Sequence, residues 1–135
     1  MNTSAPTRTS PAGLALRWVS IAIALLILLV ALYTWATLSW SYADGERAGY
    51  VLKLSKKGWL CKTWEGEMQM VAIPGAVPEK FAFTVRDEAV VAKVNAELGK
   101  LVTLSYEQHK GVPTTCFGDT MYYAKGVEVV PQQGK

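Results

Sequence analysis

Hydrophobic and polar positions fall into three regimes along the chain. From Trp18 to Ala43 no residue is charged, and "VSIAIALLILLVALYTWATL" fills the first 20 positions after Trp18. A helix of that length spans about 30 Å, the hydrocarbon thickness of a bilayer. The run has no polar face, so a membrane segment is expected over residues 18–40. Trp18 marks one boundary, and Trp35, Trp40 and Tyr42 mark the other, where interfacial aromatics belong. Residues 1–17 read as a disordered N-terminal tail carrying Arg8 and Arg17 without an acid. The apolar run exceeds the 7–15 residues of a signal-peptide core, so it reads as an uncleaved anchor.

Beyond Asp44 the period becomes two. "GERAGYVLKLSKKG" alternates Tyr50, Leu52 and Leu54 against Lys53 and Ser55, which predicts a half-buried strand ending in a Lys56-Lys57-Gly58 turn. "WLCKTWEGEMQMV" predicts a second strand with a bulge or bend near Glu65-Gly66. "KFAFTV" predicts a third, after the proline-bearing loop "AIPGAVPE".

In "RDEAVVAKVNAELGK" the period shifts to that of a helix. Val90, Val91, Val94 and Leu98 share one face, Asp87 caps the start and Gly99 the end. Period two then returns in "KLVTLSYEQHK" and in "TMYYAKGVEVV", the latter with a break expected at Gly126. The order β-β-β-α-β-β over residues 44–131, with a short tail at 132–135, predicts a small mainly-β domain. It matches an OB-like five-stranded barrel with one helix between strands 3 and 4. An open α+β sheet is the alternative.

Charge narrows the class of partner. The domain from Asp44 onward holds 12 of the 14 Lys and Arg residues and all 11 acids, a net charge of +1. That balance disfavours nucleic acid, whose binding rests on phosphate neutralisation. Lys53, Lys57 and Lys62, with Trp64 beside Lys62, form a local patch and a candidate partner-binding surface. Trp59, Cys61 and Thr63 share one face of the second strand, while Leu60, Lys62 and Trp64 share the other.

Candidate chemistry is thin. His109, the single histidine, stands at a strand end and reads as an exposed polar residue. There is no G-x-G loop for a dinucleotide or phosphate, and no Cys-x-x-Cys or His-x-x-x-His spacing for a metal. No nucleophile–base set can be named, so neither catalytic residues nor a cofactor is expected. Cys61 follows the first turn and Cys116 lies in the loop between strands 4 and 5. In an OB topology these two segments flank one face, where a disulfide is possible in an oxidising compartment, the alternative being two buried thiols.

At "SYADGERAGYVLKLSKKGWLCKTWEGEM" the sequence resembles a family of short, uncharacterised bacterial proteins with one N-terminal membrane segment. Tyr42, Gly45, Arg47, Gly49, Lys53, Ser55, Lys57, Gly58, Glu65 and Gly66 match its pattern, with Ala43 where the family usually has Ser. "FGDTMYYAKGVEVV" resembles its closing strand. Some members carry a 6-phosphogluconate dehydrogenase label, which a chain without a dinucleotide loop does not support. The resemblance implies a bacterial membrane protein and supplies no activity.

Together these readings predict a single-pass inner-membrane protein with a cytoplasmic N-terminus and a periplasmic domain. The expected partners are the lipid bilayer and a protein or glycan held by a non-catalytic adaptor surface. The alternatives are an OB-type nucleic-acid-binding module facing the cytoplasm and a small hydrolase.

Overall fold

A computed structural model describes residues 10–131; the first nine residues of the tail expected over 1–17, and the tail at 132–135, lie outside them. The chain divides into two compact units, Met1–Ala36 and Thr37–Lys135.

The first unit is dominated by helix α1, Pro11–Ser39, which is long and apolar enough to cross a membrane and buries none of its residues. It starts well before residue 18, where the tail was expected to end. Local chemistry explains the difference. The Ser10 hydroxyl accepts from the Gly13 N–H at 3.3 Å, and Pro11 supplies a helical φ at a position that needs no donor. Leu14, Ala15 and Leu16 then favour helix. The hydroxyls of Ser20 and Thr34 donate to the carbonyls of Arg17 and Val30, both at 2.8 Å, so neither is left unsatisfied in the apolar run. Trp18, Trp35, Trp40 and Tyr42 are all exposed.

The second unit is a five-stranded mixed sheet with one helix between its third and fourth strands. The elements are β1 (Ala43–Lys57), β2 (Thr63–Met70), β3 (Lys80–Val85), α2 (Glu88–Ala96), β4 (Leu101–Gln108), a 3-10 turn (Thr115–Phe117) and β5 (Tyr122–Val129). The hydrogen-bonded order is β1-β2-β3-β5-β4, and β4 returns to β1, so the sheet closes on itself. Every neighbour is antiparallel except β3 and β5, which meet in parallel at Thr84 and Tyr123.

The 15-residue β1 makes closure possible by serving two partners. Its first half pairs with β4 from Ala43–Gln108 to Tyr50–Leu101, and its second half pairs with β2 from Gly49–Met70 to Lys57–Thr63. At the handover, a Cβ on residue 49 would stand 2.3 Å from the Gln69 carbonyl oxygen, so only glycine fits.

A bulge between Val51 and Lys53 adds one residue to β1 and reverses its facing. Val51 is buried and Leu54 half-buried, whereas Tyr50 and Leu52 are exposed. The expected alternation of Tyr50, Leu52 and Leu54 toward the core is therefore corrected. β2 begins at Thr63, four residues later than the run from Trp59 suggested, because Gly58 to Lys62 form the turn.

The core joins Val51, Met68, Phe81, Phe83, Val85, Val102, Leu104 and Ala124 of the sheet to Val90, Val91 and Val94 of α2. Burial of each of these side chains other than Ala124 contributes about 1.5–3 kcal/mol. The Asp87 carboxylate caps α2 by accepting from the Ala89 N–H at 2.9 Å. Beyond the helix, the Gly99 N–H donates to the Val51 carbonyl at 2.9 Å and ties the exit to β1.

Candidate functional site

The most exposed large apolar side chains of the second unit stand together at the tip of the β1–β2 hairpin. Trp59 and Leu60 are essentially fully exposed, with Lys57 before them and Lys62 after them. Gly58 makes this turn with φ +135°, and a Cβ there would collide with the Cys61 carbonyl. Cys61 and Cys116 are joined by a disulfide with 4.9 Å between their Cα atoms. The bond fastens the hairpin tip to the β4–β5 loop across 55 residues of sequence. Lys57, Trp59, Leu60, Cys61 and Cys116 line one cleft of about 500 Å³.

The far side of the β4–β5 loop is held by a buried carboxylate. Glu65 on β2 is 5% exposed. Its oxygens accept from the hydroxyls of Thr63 and Thr84, each at 2.7 Å, and from the Asp119 N–H at 3.0 Å. Thr84 Oγ1 accepts in turn from the Thr120 N–H at 3.3 Å. These bonds compensate the desolvation of the carboxylate and fix the loop on the sheet.

The candidate residues are distributed as follows. Lys53 and Lys57 line an open cleft of about 290 Å³ with Glu65, Glu67 and Asp119. Lys53 is engaged there, since its Nζ lies 3.2 Å from Glu67, whose other oxygen is 3.1 Å from Lys80. Hydrogen bonds from Lys80 and then Lys53 hold the Glu67 carboxyl below its ordinary value. Lys62 is exposed near the tip. Trp64 is half-buried against the core; its Nε1 donates to Glu88 at 3.2 Å and the Lys56 ammonium lies 5.5 Å from its ring centre. The fully exposed tryptophan of this hairpin is thus Trp59, and not Trp64, the one chosen from sequence. The signal for it was the Gly58 turn, which removes residues 59–61 from the strand.

His109 is corrected from exposed to buried, at 3% exposure. Its Nδ1 is 2.9 Å from the Thr37 carbonyl and its Nε2 is 3.2 Å from Glu107, which also pairs with Lys125 at 3.1 Å. Its ring meets Tyr123 edge-on at 5.1 Å. Burial raises the Tyr123 phenol above its usual value, a shift opposed by the nearby Arg86. Among the described residues, no group of three or more His, Cys, Asp or Glu side chains is placed to hold a metal.

No family model and no curated protein matches the chain. Among solved structures, the fold is similar to that of the mitochondrial single-stranded DNA binding protein Rim1 from S. cerevisiae. The TM-score is 0.51 at 11% sequence identity, covering 71% of this chain and 100% of that one. This similarity corrects two expectations: the adaptor holding a protein or glycan, and nucleic acid as a disfavoured partner. Glu67 and Glu107 are spent on the domain's own lysines, which leaves Lys57 and Lys62 beside Trp59.

Proposed function

We propose that the second unit is an OB-type barrel that binds single-stranded nucleic acid at its β1–β2 tip, and that α1 anchors it in the bacterial inner membrane. The observation that carries this reading is Trp59, a fully exposed ring on a turn pinned by a disulfide and flanked by lysines. Every base offers a π-face, so stacking on such a ring is indifferent to sequence, while lysines meet the backbone phosphates. The strand order and the similarity to a single-stranded DNA binding protein support the same class of ligand.

The disulfide supports a domain on the oxidising side of the membrane with a cytoplasmic N-terminus, since cytosolic thiols are kept reduced. The strand it meets there is therefore outside the cytosol, in contrast to the cytoplasmic module considered from sequence.

The test is fluorescence anisotropy of labelled oligothymidylate with the full chain in detergent. Neutralising about four phosphates gives a log–log salt slope of about −3 for a single strand. Replacing Trp59 by Ala is expected to cost about 1–3 kcal/mol of binding. Absence of binding at low salt, or binding indifferent to both salt and Trp59, sinks the reading.

A further inference from the structure

Arg86 leaves β3 immediately before the Asp87 cap of α2, and its guanidinium is flanked by two rings. Its Cζ lies 5.8 Å from the Phe117 ring centre and 5.5 Å from that of Tyr123. Tyr123 is buried and Phe117 half-buried, so both platforms are fixed while Arg86 itself remains exposed. Among the described residues no carboxylate forms an ion pair with Arg86. Its neighbours are otherwise committed: Asp87 accepts from the Ala89 N–H, and Lys125 pairs with Glu107. Arg86, Asp87, Val90, His109, Tyr123 and Lys125 line a cleft of about 240 Å³.

A stacked guanidinium keeps its planar fork of donors pre-oriented, so it loses less side-chain freedom on meeting a phosphate than a loose lysine does. Covalent continuity links this cleft to the hairpin tip. Phe117 follows Cys116, Cys116 is bonded to Cys61, and Cys61 follows Trp59 and Leu60. The ring under Arg86 is thus tied through the disulfide to the turn that carries Trp59.

We infer that Arg86 is a second contact for the strand, taking a backbone phosphate while Trp59 takes a base. This rests on the reading of the domain as a single-strand binder. A lone surface arginine would float; this one is held by two rings, one of them on the residue that follows the bonded Cys116.

The experiment uses the full chain in detergent with labelled oligothymidylate, comparing wild type, Arg86→Gln and Arg86→Lys across a salt series. Arg86→Gln is expected to weaken binding about fivefold at low salt and to flatten the log–log slope by about 0.7, the share of one phosphate contact on a single strand. Arg86→Lys is expected to keep the slope while losing affinity, because the charge remains and the planar fork is gone. If Arg86→Gln fails to fold, the proposal is decided by Arg86→Lys: an affinity equal to wild type overturns it. A slope unchanged in Arg86→Gln overturns the proposal alone, since wild-type binding keeps the broader reading. No binding by wild type overturns both. A blue shift of tryptophan emission with anionic vesicles, absent with oligothymidylate, assigns the surface to lipid and also overturns it.

Discussion

The domain contains two arginines placed over pairs of aromatic rings, and they do opposite things. Arg47 lies 4.5 Å above Phe81 and 5.7 Å from Tyr106, and its Nε donates to the Tyr106 hydroxyl at 3.4 Å. Phe81, Tyr106 and Tyr122 meet one another at 5.0–5.5 Å, so this cluster is closed and its cation is consumed by the fold. Arg86 lies over Phe117 and Tyr123 at similar distances yet stays exposed without a carboxylate partner. The same residue types therefore close a ring cluster against the sheet at one place and present a charge at another. The difference lies in the Tyr106 hydroxyl that accepts from Arg47 and in burial, since Arg47 is half-buried and Arg86 exposed.

Breaking the closed cluster should give the largest effect. Phe81 is buried and touches both other rings, so Phe81→Ala is expected to cost about 3–5 kcal/mol of stability. The check is the urea midpoint of the full chain in detergent, followed by far-ultraviolet circular dichroism. A loss below about 1 kcal/mol would show that the cluster is peripheral and that Arg47 is as open as Arg86.

The second effect acts on the open side. Closing a loop of 55 residues is worth about 4 kcal/mol in the chain-entropy model. Reduction, or the pair Cys61→Ala and Cys116→Ala, is expected to lower the unfolding midpoint and to weaken single-strand binding together. The reason is that the bond carries both the Trp59 turn and the loop bearing Phe117. Retained affinity in the stable reduced protein would show that the two ends of the surface act independently.

Sequence pattern made the elements of this domain legible but not their pairing geometry. The helix at Val90, Val91 and Val94 follows from its period and from the Asp87 cap, since both are local. The facing of β1 does not, because a bulge is set by the partner strand and one added residue exchanges Val51 for Leu52 at the core. The same limit hid His109, whose burial depends on Thr37 and Tyr123, 72 and 14 positions away. Sequence favours Trp64 over Trp59 because it stands beside Lys62. Its Glu88 partner and core contacts take it out of solvent, while the Gly58 turn lifts Trp59 off the strand. The Arg86 site required the adjacency of β3 and β5, which no local pattern encodes.

The smallest effect concerns cations that are present but already occupied. Glu67 holds Lys53 and Lys80, and their hydrogen bonds depress its carboxyl below the ordinary 4.5. A depressed folded value means that this contribution is fully present above the ordinary value and is lost as pH falls through the folded one. All three side chains are solvated, so the effect on the urea midpoint between pH 7 and pH 3 is expected to be slight and to shrink in high salt. Glu67→Gln should remove that part of the acid dependence and release both lysines. Two released cations within reach of a bound strand steepen its log–log salt slope by about 0.7 each. A slope that stays at the wild-type value would confine the strand to the Trp59 and Arg86 side, so that the β1–β2–β3 face carrying Lys53 serves the fold alone.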